Sequence, residues 1–272
     1  MNIKQIVLVA FSIITLSGLV LPLALVSAQY AGYEINNYLA IEDPVEDGAW
    51  TTDTEWYDAA IPPNLPDNFQ WRMEWTYPSG ILEHFLIELC DDTTDDAGDY
   101  VQICFDPTAN GGTAPQSDDF RIDWVGHDMS GLTIYQGDGS GWVVYTDYTW
   151  DSDIFVAESI DASPLNSTPH WIVEIRLNRS KAEFDTSGSG YAPLIRVAAY
   201  DESNSGAGVQ AWPPTSQDVP SDWGQEYGLY ETNPNPIPEP MTIITVVLLS
   251  SVALIVGSNF LRKELKTKSP EK

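Results

Sequence analysis

Basic residues are scarce in this chain, and their scarcity limits what it can bind. The 272 residues include 12 Lys and Arg against 40 Asp and Glu. Between Gln29 and Pro240 there are six basic and 38 acidic residues, a formal charge near −32. Such a surface repels the phosphates of nucleic acids and attracts divalent cations. We therefore expect no nucleic-acid partner.

Between Gln29 and Pro240 the sequence also lacks helical periodicity and internal repeats. One helical turn is predicted at Ser180–Phe184, and the absence of a repeat argues against a solenoid or a propeller. The whole chain has ten Trp and thirteen Tyr, which supply a core and exclude a disordered chain.

Short strand-like segments separated by turn residues recur through the region. His170–Leu177 alternates, with Trp171 and Val173 among the residues on one side, while Leu194–Tyr200 is a nearly continuous apolar run typical of a central strand covered on both faces. The spacing predicts an all-β, jelly-roll-like β-sandwich over residues 29–230. The other predicted strands are Phe69–Tyr77, Ile81–Cys90, Tyr100–Phe105, Phe120–Val125, Leu132–Tyr135, Trp142–Tyr145 and Ile154–Ile160.

The N-terminus predicts export. Lys4 precedes an apolar run from Ile6 to about Leu25, and Val26-Ser27-Ala28 supplies small residues at a cleavage site. Residues 1–28 are therefore predicted to be a signal peptide. An uncleaved signal anchor is the alternative, because the apolar run is longer than most.

The C-terminus predicts a membrane span. Met241–Leu261 has 21 residues without a charge, which is long enough to cross a bilayer, and a basic tail follows at 262–272. Basic residues stay on the cytoplasmic side, so the preceding domain is predicted to face outward. Residues 231–240 form a Pro-rich linker, which favours an extended spacer.

The junction of linker and span resembles a PEP-CTERM sorting signal. Pro238, Glu239 and Pro240 stand before the apolar segment, and Arg262-Lys263 follows it. The resemblance implies recognition by a sortase-like processing enzyme and removal of the helix. A plain single-pass anchor is the alternative.

The two cysteines, Cys90 and Cys104, lie at equal distances from Ala97. A hairpin turning at Ala97 would place them opposite each other, and oxidising conditions outside the cell favour a disulfide. Two buried thiols on paired strands are the alternative.

The densest acidic cluster predicts a calcium site. Its five carboxylates in one loop offer the hard oxygen ligands that Ca²⁺ prefers. A solvated hairpin tip is the alternative. The five residues are Asp91, Asp92, Asp95, Asp96 and Asp99.

Two sequons, at Asn166 and Asn178, predict glycosylation where the machinery exists.

Several segments in order resemble family-9 carbohydrate-binding modules and their DOMON-like relatives, including the haem-binding ethylbenzene-dehydrogenase-related domains. The resemblance spans roughly Tyr33 to Gly228 and implies a jelly-roll-like sandwich, with structural calcium and sugar binding known in the family. The segments are Ile41–Trp50 with Glu55–Ala59, Gly98–Asp106, Pro169–Leu177, Ala211–Pro214 and Asp222–Gly224.

Sugar binding needs flat aromatic faces beside hydrogen-bonding groups. Trp142, Trp212 and Trp223 lie in Gly-, Asp- or Pro-rich segments and are the predicted ligand-binding residues, while Trp71 and Trp75 are predicted core residues.

The haem branch needs axial ligands such as Met with Lys or His. None of the candidates is in a pattern that favours haem; they are Met73, Met129, His84, His127, His170 and Lys181. No nucleophile elbow or defined carboxylate pair predicts catalysis. The leading hypothesis is a non-catalytic surface module that binds a polysaccharide or cell-envelope glycan. A structural envelope protein without a small ligand and a b-type haem electron-transfer domain are the alternatives.

Overall fold

The structure is a computed structural model that describes residues 32–52, 54–77 and 81–234. The predicted signal peptide, the predicted membrane span, the basic tail and the sorting motif Pro238, Glu239 and Pro240 lie outside these residues, as does most of the linker. Within the described ranges, no helix is long and apolar enough to cross a membrane.

The described residues form a β-sandwich of two sheets with a few short 3₁₀ turns. The strands are β1 Glu34–Tyr38, β2 Phe69–Thr76, β3 Leu82–Leu89, β4 Tyr100–Asp106, β5 Phe120–Val125, β6 Leu132–Gly137, β7 Trp142–Tyr145, β8 Ile154–Asp161, β9 His170–Asn178, β10 Leu194–Tyr200, β11 Gln210–Trp212 and β12 Gly224–Leu229. The 3₁₀ turns are Met129–Gly131, Ala182–Phe184, Ser187–Ser189, Ser205–Ala207 and Pro220–Asp222.

The larger sheet, sheet A, has the strand order β1-β12-β10-β4-β5-β6-β7, and β11 pairs with β10. The smaller sheet, sheet B, has the order β2-β3-β9-β8. All strand pairs are antiparallel except β1 with β12, which run parallel. The predicted all-β sandwich is confirmed.

Alternation along the strands places the apolar core between the sheets. In sheet B, Met73 lies opposite Phe85, which lies opposite Ile175, and all three are buried. Trp71 and Trp75 share this inner face, as predicted for core residues. Each side chain of this size contributes about 1.5–3 kcal/mol when it is fully buried.

The sequence predicted nine strands to within two residues at each end, including the fully covered strand β10. It missed β1, β11 and β12. The sequence of β1, Glu-Ile-Asn-Asn-Tyr, carries little apolar signal because the strand lies at the sheet edge, and β12 contains two glycines. The predicted helical turn appears as the 3₁₀ turn Ala182–Phe184.

The segment that joins β1 to β2, called here the N-terminal cover, lies on the outer face of sheet B. At the edge of the sheet, Ala60 of the cover pairs with β2, exchanging backbone hydrogen bonds of 2.7 and 3.0 Å with Met73. Trp56, from the cover, is fully buried in a cluster with Leu86 and Ile172 of the sheet. Both faces of sheet B are therefore shielded from water.

Gly48 brings the backbone of the cover close to strand β8 of sheet B. Its φ is +84°, and a Cβ atom there would lie 2.5–2.7 Å from backbone atoms of Glu158. Its N–H donates to Glu174 Oε2 at 2.7 Å, and its carbonyl accepts from Ser159 Oγ at 2.7 Å. Glu174 also accepts from Trp56 Nε1 at 3.0 Å, and burial raises the pKa of Glu174 to about 8.

A buried ionic cluster links the two sheets at one end of the sandwich. Arg179 Nη1 donates to Glu83 Oε2 at 2.5 Å and to Glu226 Oε1 at 3.1 Å. Asn37 Nδ2 donates to the same two carboxylates at 3.0 and 3.1 Å. Burial, reinforced by the charge of Glu226, holds the pKa of Glu83 well above its usual range. The carboxylates and Asn37 come from strands of both sheets, Arg179 directly follows β9, and all these side chains are nearly inaccessible to water.

The two ends of the described sandwich meet at one edge of sheet A. β1 pairs with β12 from Glu34 opposite Gln225 to Tyr38 opposite Leu229. The pairing continues beyond the strands, because Leu39 N–H donates to the Glu231 carbonyl at 3.1 Å.

Candidate functional site

The outer face of sheet A carries partly accessible aromatic rings next to polar side chains. Because core residues of β4, β5 and β10 point inward, the alternate residues of these strands point outward. The register aligns Tyr200 with Tyr100 in one row, and Gln102 with Asp123 in the next. The residues of this surface, called here the sheet A face, are Tyr100, Gln102, Arg121, Asp123, Tyr135, Trp142 and Tyr200.

Tyr100 and Tyr200 form a stacked pair at one end of the sheet A face. Their ring centroids are 5.5 Å apart and their planes differ by 20°. Burial raises the pKa of Tyr100. Both residues remain partly accessible, so the pair offers flat apolar surface to solvent at the ends of β4 and β10.

A hydrogen-bonded polar group lies in the middle of the face, where Gln102 and Arg196 are buried and Asp123 is partly accessible. Gln102 Nε2 donates to Asp123 Oδ1 at 3.0 Å, and Gln102 Oε1 accepts from Arg196 Nη1 at 2.8 Å. Arg196 Nε in turn donates to the Thr215 carbonyl at 2.8 Å. Burial raises the pKa of Asp123. These contacts fix the orientation of the amide and the carboxylate.

Arg121 lies at the other end of the face, against two aromatic rings. Its guanidinium carbon is 4.1 Å from the ring centroid of Tyr135 and 5.4 Å from that of Trp142. Nη2 pairs with Asp123 Oδ2 at 3.0 Å, while Nε is buried and has no hydrogen-bond partner. A buried donor without a partner costs free energy unless a ligand or water accepts from it.

The structure places the three predicted sugar-binding tryptophans differently. Trp142 is partly accessible on the sheet A face, where its Nε1 donates to Asp218 Oδ1 at 2.8 Å. The predictions for Trp212 and Trp223 are wrong, because both side chains are buried. Trp212 Nε1 donates to the Pro63 carbonyl at 2.8 Å, and Trp223 Nε1 donates to the Ser216 carbonyl at 3.1 Å. Each indole ring is therefore enclosed by the fold, and a backbone carbonyl accepts from its one N–H donor.

Three buried carboxylates converge where β4 begins and β10 ends. Asp92, Asp99 and Asp201 each offer an oxygen within 4.8 Å of the others. Asp99 Oδ1 accepts from the Glu202 N–H at 2.7 Å, which ties the two strand ends together. We call these three residues the aspartate triad.

The aspartate triad fits a hard cation. Asp92 is fully buried, and its Oδ2 has no hydrogen-bond partner. Burial, together with the charges of Asp99 and Asp201, raises the pKa of Asp92 to about 6. His127 Nε2 contacts Asp99 Oδ2 at 3.1 Å. Carboxylate oxygens are the ligands that Ca²⁺ prefers.

The predicted calcium loop therefore contributes two of its five carboxylates to the triad. Asp91 and Asp95 are exposed to solvent, and Asp96 accepts from Thr94 Oγ1 at 2.7 Å. The third carboxylate, Asp201, comes from the far end of β10 and was missed. Its only signal in the sequence is its position immediately after the central strand.

The predicted disulfide between Cys90 and Cys104 is wrong, because both thiols are free. Residues 90–99 do not form a hairpin: β3 belongs to sheet B and β4 to sheet A, so this segment crosses between the sheets. Burial raises the pKa of Cys90 to about 11 and that of Cys104 to about 12, so both stay protonated near neutral pH.

Both sequon asparagines make hydrogen bonds in the fold. Asn166 Nδ2 donates to the Cys90 carbonyl at 3.2 Å, and Asn178 Nδ2 donates to the Ser152 carbonyl at 2.9 Å. Their glycosylation stays a prediction.

Four of the haem-ligand candidates have other contacts in the fold. Met73 is buried in the core between the sheets. His84 contacts Glu46 at 2.8 Å, and His170 contacts Glu88 at 3.1 Å. Lys181 pairs with Asp153 at 3.5 Å.

Comparison with known proteins gives structural neighbours alone. No family model and no curated protein matches the chain. A carbohydrate binding module of family 9 from Caldicellulosiruptor kristjanssonii in complex with cellotriose has a TM-score of 0.47 and 16% identity, over 75% of this chain and 98% of that one. A carbohydrate binding module of family 9 from the same organism in complex with glucose has a TM-score of 0.45 and 16% identity, over 72% of this chain and 96% of that one.

Proposed function

We propose that this chain is a non-catalytic binding module that recognises carbohydrate through the sheet A face. The observation that carries the proposal is the arrangement on that face: the Tyr100–Tyr200 pair at one end, Arg121 against the rings of Tyr135 and Trp142 at the other, and between them the partly accessible carboxylate of Asp123, which the buried amide of Gln102 holds in place.

The chemistry of the face suits a saccharide. The C–H faces of sugar rings stack on aromatic rings, while their hydroxyls need donors and acceptors in fixed positions. Tyr100 and the row of Arg121 are four residues apart along the register, or about 14 Å at the rise of a strand. Two stacking positions at that distance favour an oligosaccharide over a single sugar ring.

Binding of the full chain in detergent to a glycan array and to insoluble polysaccharides tests the proposal. Replacing Tyr100 or Trp142 with alanine removes one stacking ring and is expected to weaken binding about threefold to tenfold. Tyr77→Ala is the matched control, since Tyr77 is an exposed aromatic outside the sheet A face. Absence of glycan binding by the unaltered chain with Ca²⁺ present, or an equal loss in the Tyr77 variant, would refute the proposal.

We also propose that the aspartate triad holds a structural Ca²⁺. The buried, unpartnered oxygen of Asp92 supports this. A Ca²⁺ concentration 100 times the dissociation constant stabilises a folded protein by about 2.7 kcal/mol, which corresponds to roughly 5–10 °C in melting temperature for a domain of this size. Asp201→Asn is expected to abolish the shift and Asp91→Asn to leave it intact. A shift that survives Asp201→Asn would contradict the assignment.

The terminal segments support a proposal about location. We propose that the chain is exported, is held at first by its apolar segment 241–261, and is released from that segment by a sortase-like enzyme, as the likeness of the junction to a PEP-CTERM signal suggests. Mass spectrometry of the mature protein from its native cells would show whether the chain begins near Gln29 and ends near Pro240. A mature chain that retains residues 241–261 would leave the plain anchor as the correct alternative.

A further inference from the structure

We infer that cation binding at the aspartate triad sets the geometry of the Tyr100–Tyr200 pair, so that glycan affinity depends on the cation. This inference rests on the proposed function of the sheet A face.

The triad and the tyrosine pair share the same backbone. Asp99 immediately precedes Tyr100 at the start of β4, and Asp201 immediately follows Tyr200 at the end of β10. Because Tyr200 lies opposite Tyr100 in the register, both acids lie one residue beyond that aromatic row. A shift of either strand end would therefore move a ring of the pair directly.

When no cation is present, repulsion between carboxylates separates the ends of β4 and β10, while hydrogen bonds hold them together. Like charges within 4.8 Å repel each other, and the charges of Asp99 and Asp201 act on Asp92 in this way. Backbone contacts act in the other direction: Asp99 Oδ1 accepts from Glu202 N–H at 2.7 Å, and Glu202 Oε2 accepts from Gly98 N–H at 2.8 Å. A cation among the three carboxylates would replace repulsion with attraction and hold β4 and β10 in register at this end.

The other aromatic end of the sheet A face does not contact the aspartate triad. Arg121 and Trp142 lie on β5 and β7, and Trp142 is held by Asp218 at 2.8 Å rather than by the triad. The cation is therefore expected to act on one half of the proposed glycan surface. Its effect should be large for ligands that span the face and should disappear when the tyrosine pair is removed.

The test measures glycan binding on the array with the full chain in detergent, in about 10 mM Ca²⁺ and in EDTA. This concentration is well above about 1 mM, the weak end of Ca²⁺ sites in extracellular modules. The expected result is affinity at least about fivefold higher with Ca²⁺, the lower end of typical coupling between sites. Asp201→Asn should bind glycan equally in both conditions and more weakly than the unaltered chain in Ca²⁺. The double variant Tyr100→Ala, Tyr200→Ala should lose the dependence on Ca²⁺ while it keeps residual binding.

A second readout follows the cation alone. Melting temperature and the near-ultraviolet circular dichroism of tyrosine are measured as Ca²⁺ is added to the unaltered chain. Both should change together and saturate at one concentration. In Tyr100→Phe, Tyr200→Phe, the melting shift should remain while the tyrosine signal decreases. By linkage, a bound glycan should raise the affinity for Ca²⁺ by the same factor as Ca²⁺ raises that for the glycan.

The outcomes separate the two proposals. Equal glycan binding in Ca²⁺ and EDTA would overturn the coupling and leave the proposed glycan site standing. The lack of a melting shift with Ca²⁺ would overturn the coupling as well. Absence of glycan binding in both conditions would overturn the proposed function and, with it, this inference.

Discussion

Replacing Gly48 with alanine tests how the N-terminal cover is seated on sheet B. A φ of +84° costs an L-residue about 1–2 kcal/mol. The new Cβ would also lie 2.5–2.7 Å from the backbone of Glu158, and overpacking against rigid atoms costs about 1–3 kcal/mol. The expected loss is therefore about 2–5 kcal/mol, or roughly 5–20 °C in melting temperature for a domain of this size. Tryptophan fluorescence during urea and thermal unfolding measures both quantities.

Two other glycines separate the contributions. Gly190→Ala meets a φ of +69° but no atom within 4 Å, so it should lose only about 1–2 kcal/mol. Gly141→Ala meets neither a positive φ nor a neighbour and should be nearly neutral. A loss at Gly48 no greater than that at Gly190 would show that the close approach to Glu158 is not what requires glycine, and the reasoning would be refuted.

Three further predictions concern buried groups. Burial raises the pKa of Glu174 from 4.5 to about 8, so the stabilisation that its proton provides is complete below about pH 4.5 and is lost as the pH rises through 8. The urea midpoint of unfolding should therefore fall across this pH range. It should fall less steeply in Glu174→Gln. Arg179→Met leaves its two carboxylate partners without a cation and should cost about 3–5 kcal/mol in the same assay, whereas a loss under 1 kcal/mol would contradict the buried cluster. A thiol reagent should react with Cys104 only after unfolding, and the unfolded protein should show two free thiols, Cys90 and Cys104. Dithiothreitol should leave the melting temperature unchanged. A native mass that shows a disulfide would contradict the free thiols.

Local alternation predicted most strands because each strand carries its own pattern of burial. Trp171, Val173 and the residues that continue this pattern point into the core, as the sequence indicated. The outer side of the same strand was harder to predict. Ile172 and Glu174 are buried because the N-terminal cover, more than a hundred residues earlier in the chain, folds over them.

The candidate sites depend on pairings that sequence spacing does not determine. Equal distances from Ala97 describe a hairpin and a crossover between sheets equally well, so Cys90 and Cys104 were assigned to one hairpin. The third acid of the triad, Asp201, reaches the loop only through the pairing of β10 with β4. Trp212 was predicted to be exposed because its loop is rich in proline, but its Nε1 finds the Pro63 carbonyl.

The parallel pairing of β1 with β12 has a mechanical consequence. If tension pulls the chain away from the sandwich before Glu34 and after Leu229, the two strands are drawn in opposite directions along their length. Their five register pairs, from Glu34 opposite Gln225 to Tyr38 opposite Leu229, would then bear the load together in shear instead of opening one after another. The domain should resist unfolding most strongly when it is pulled in this direction, and single-molecule force measurements with handles at these two positions would detect that resistance.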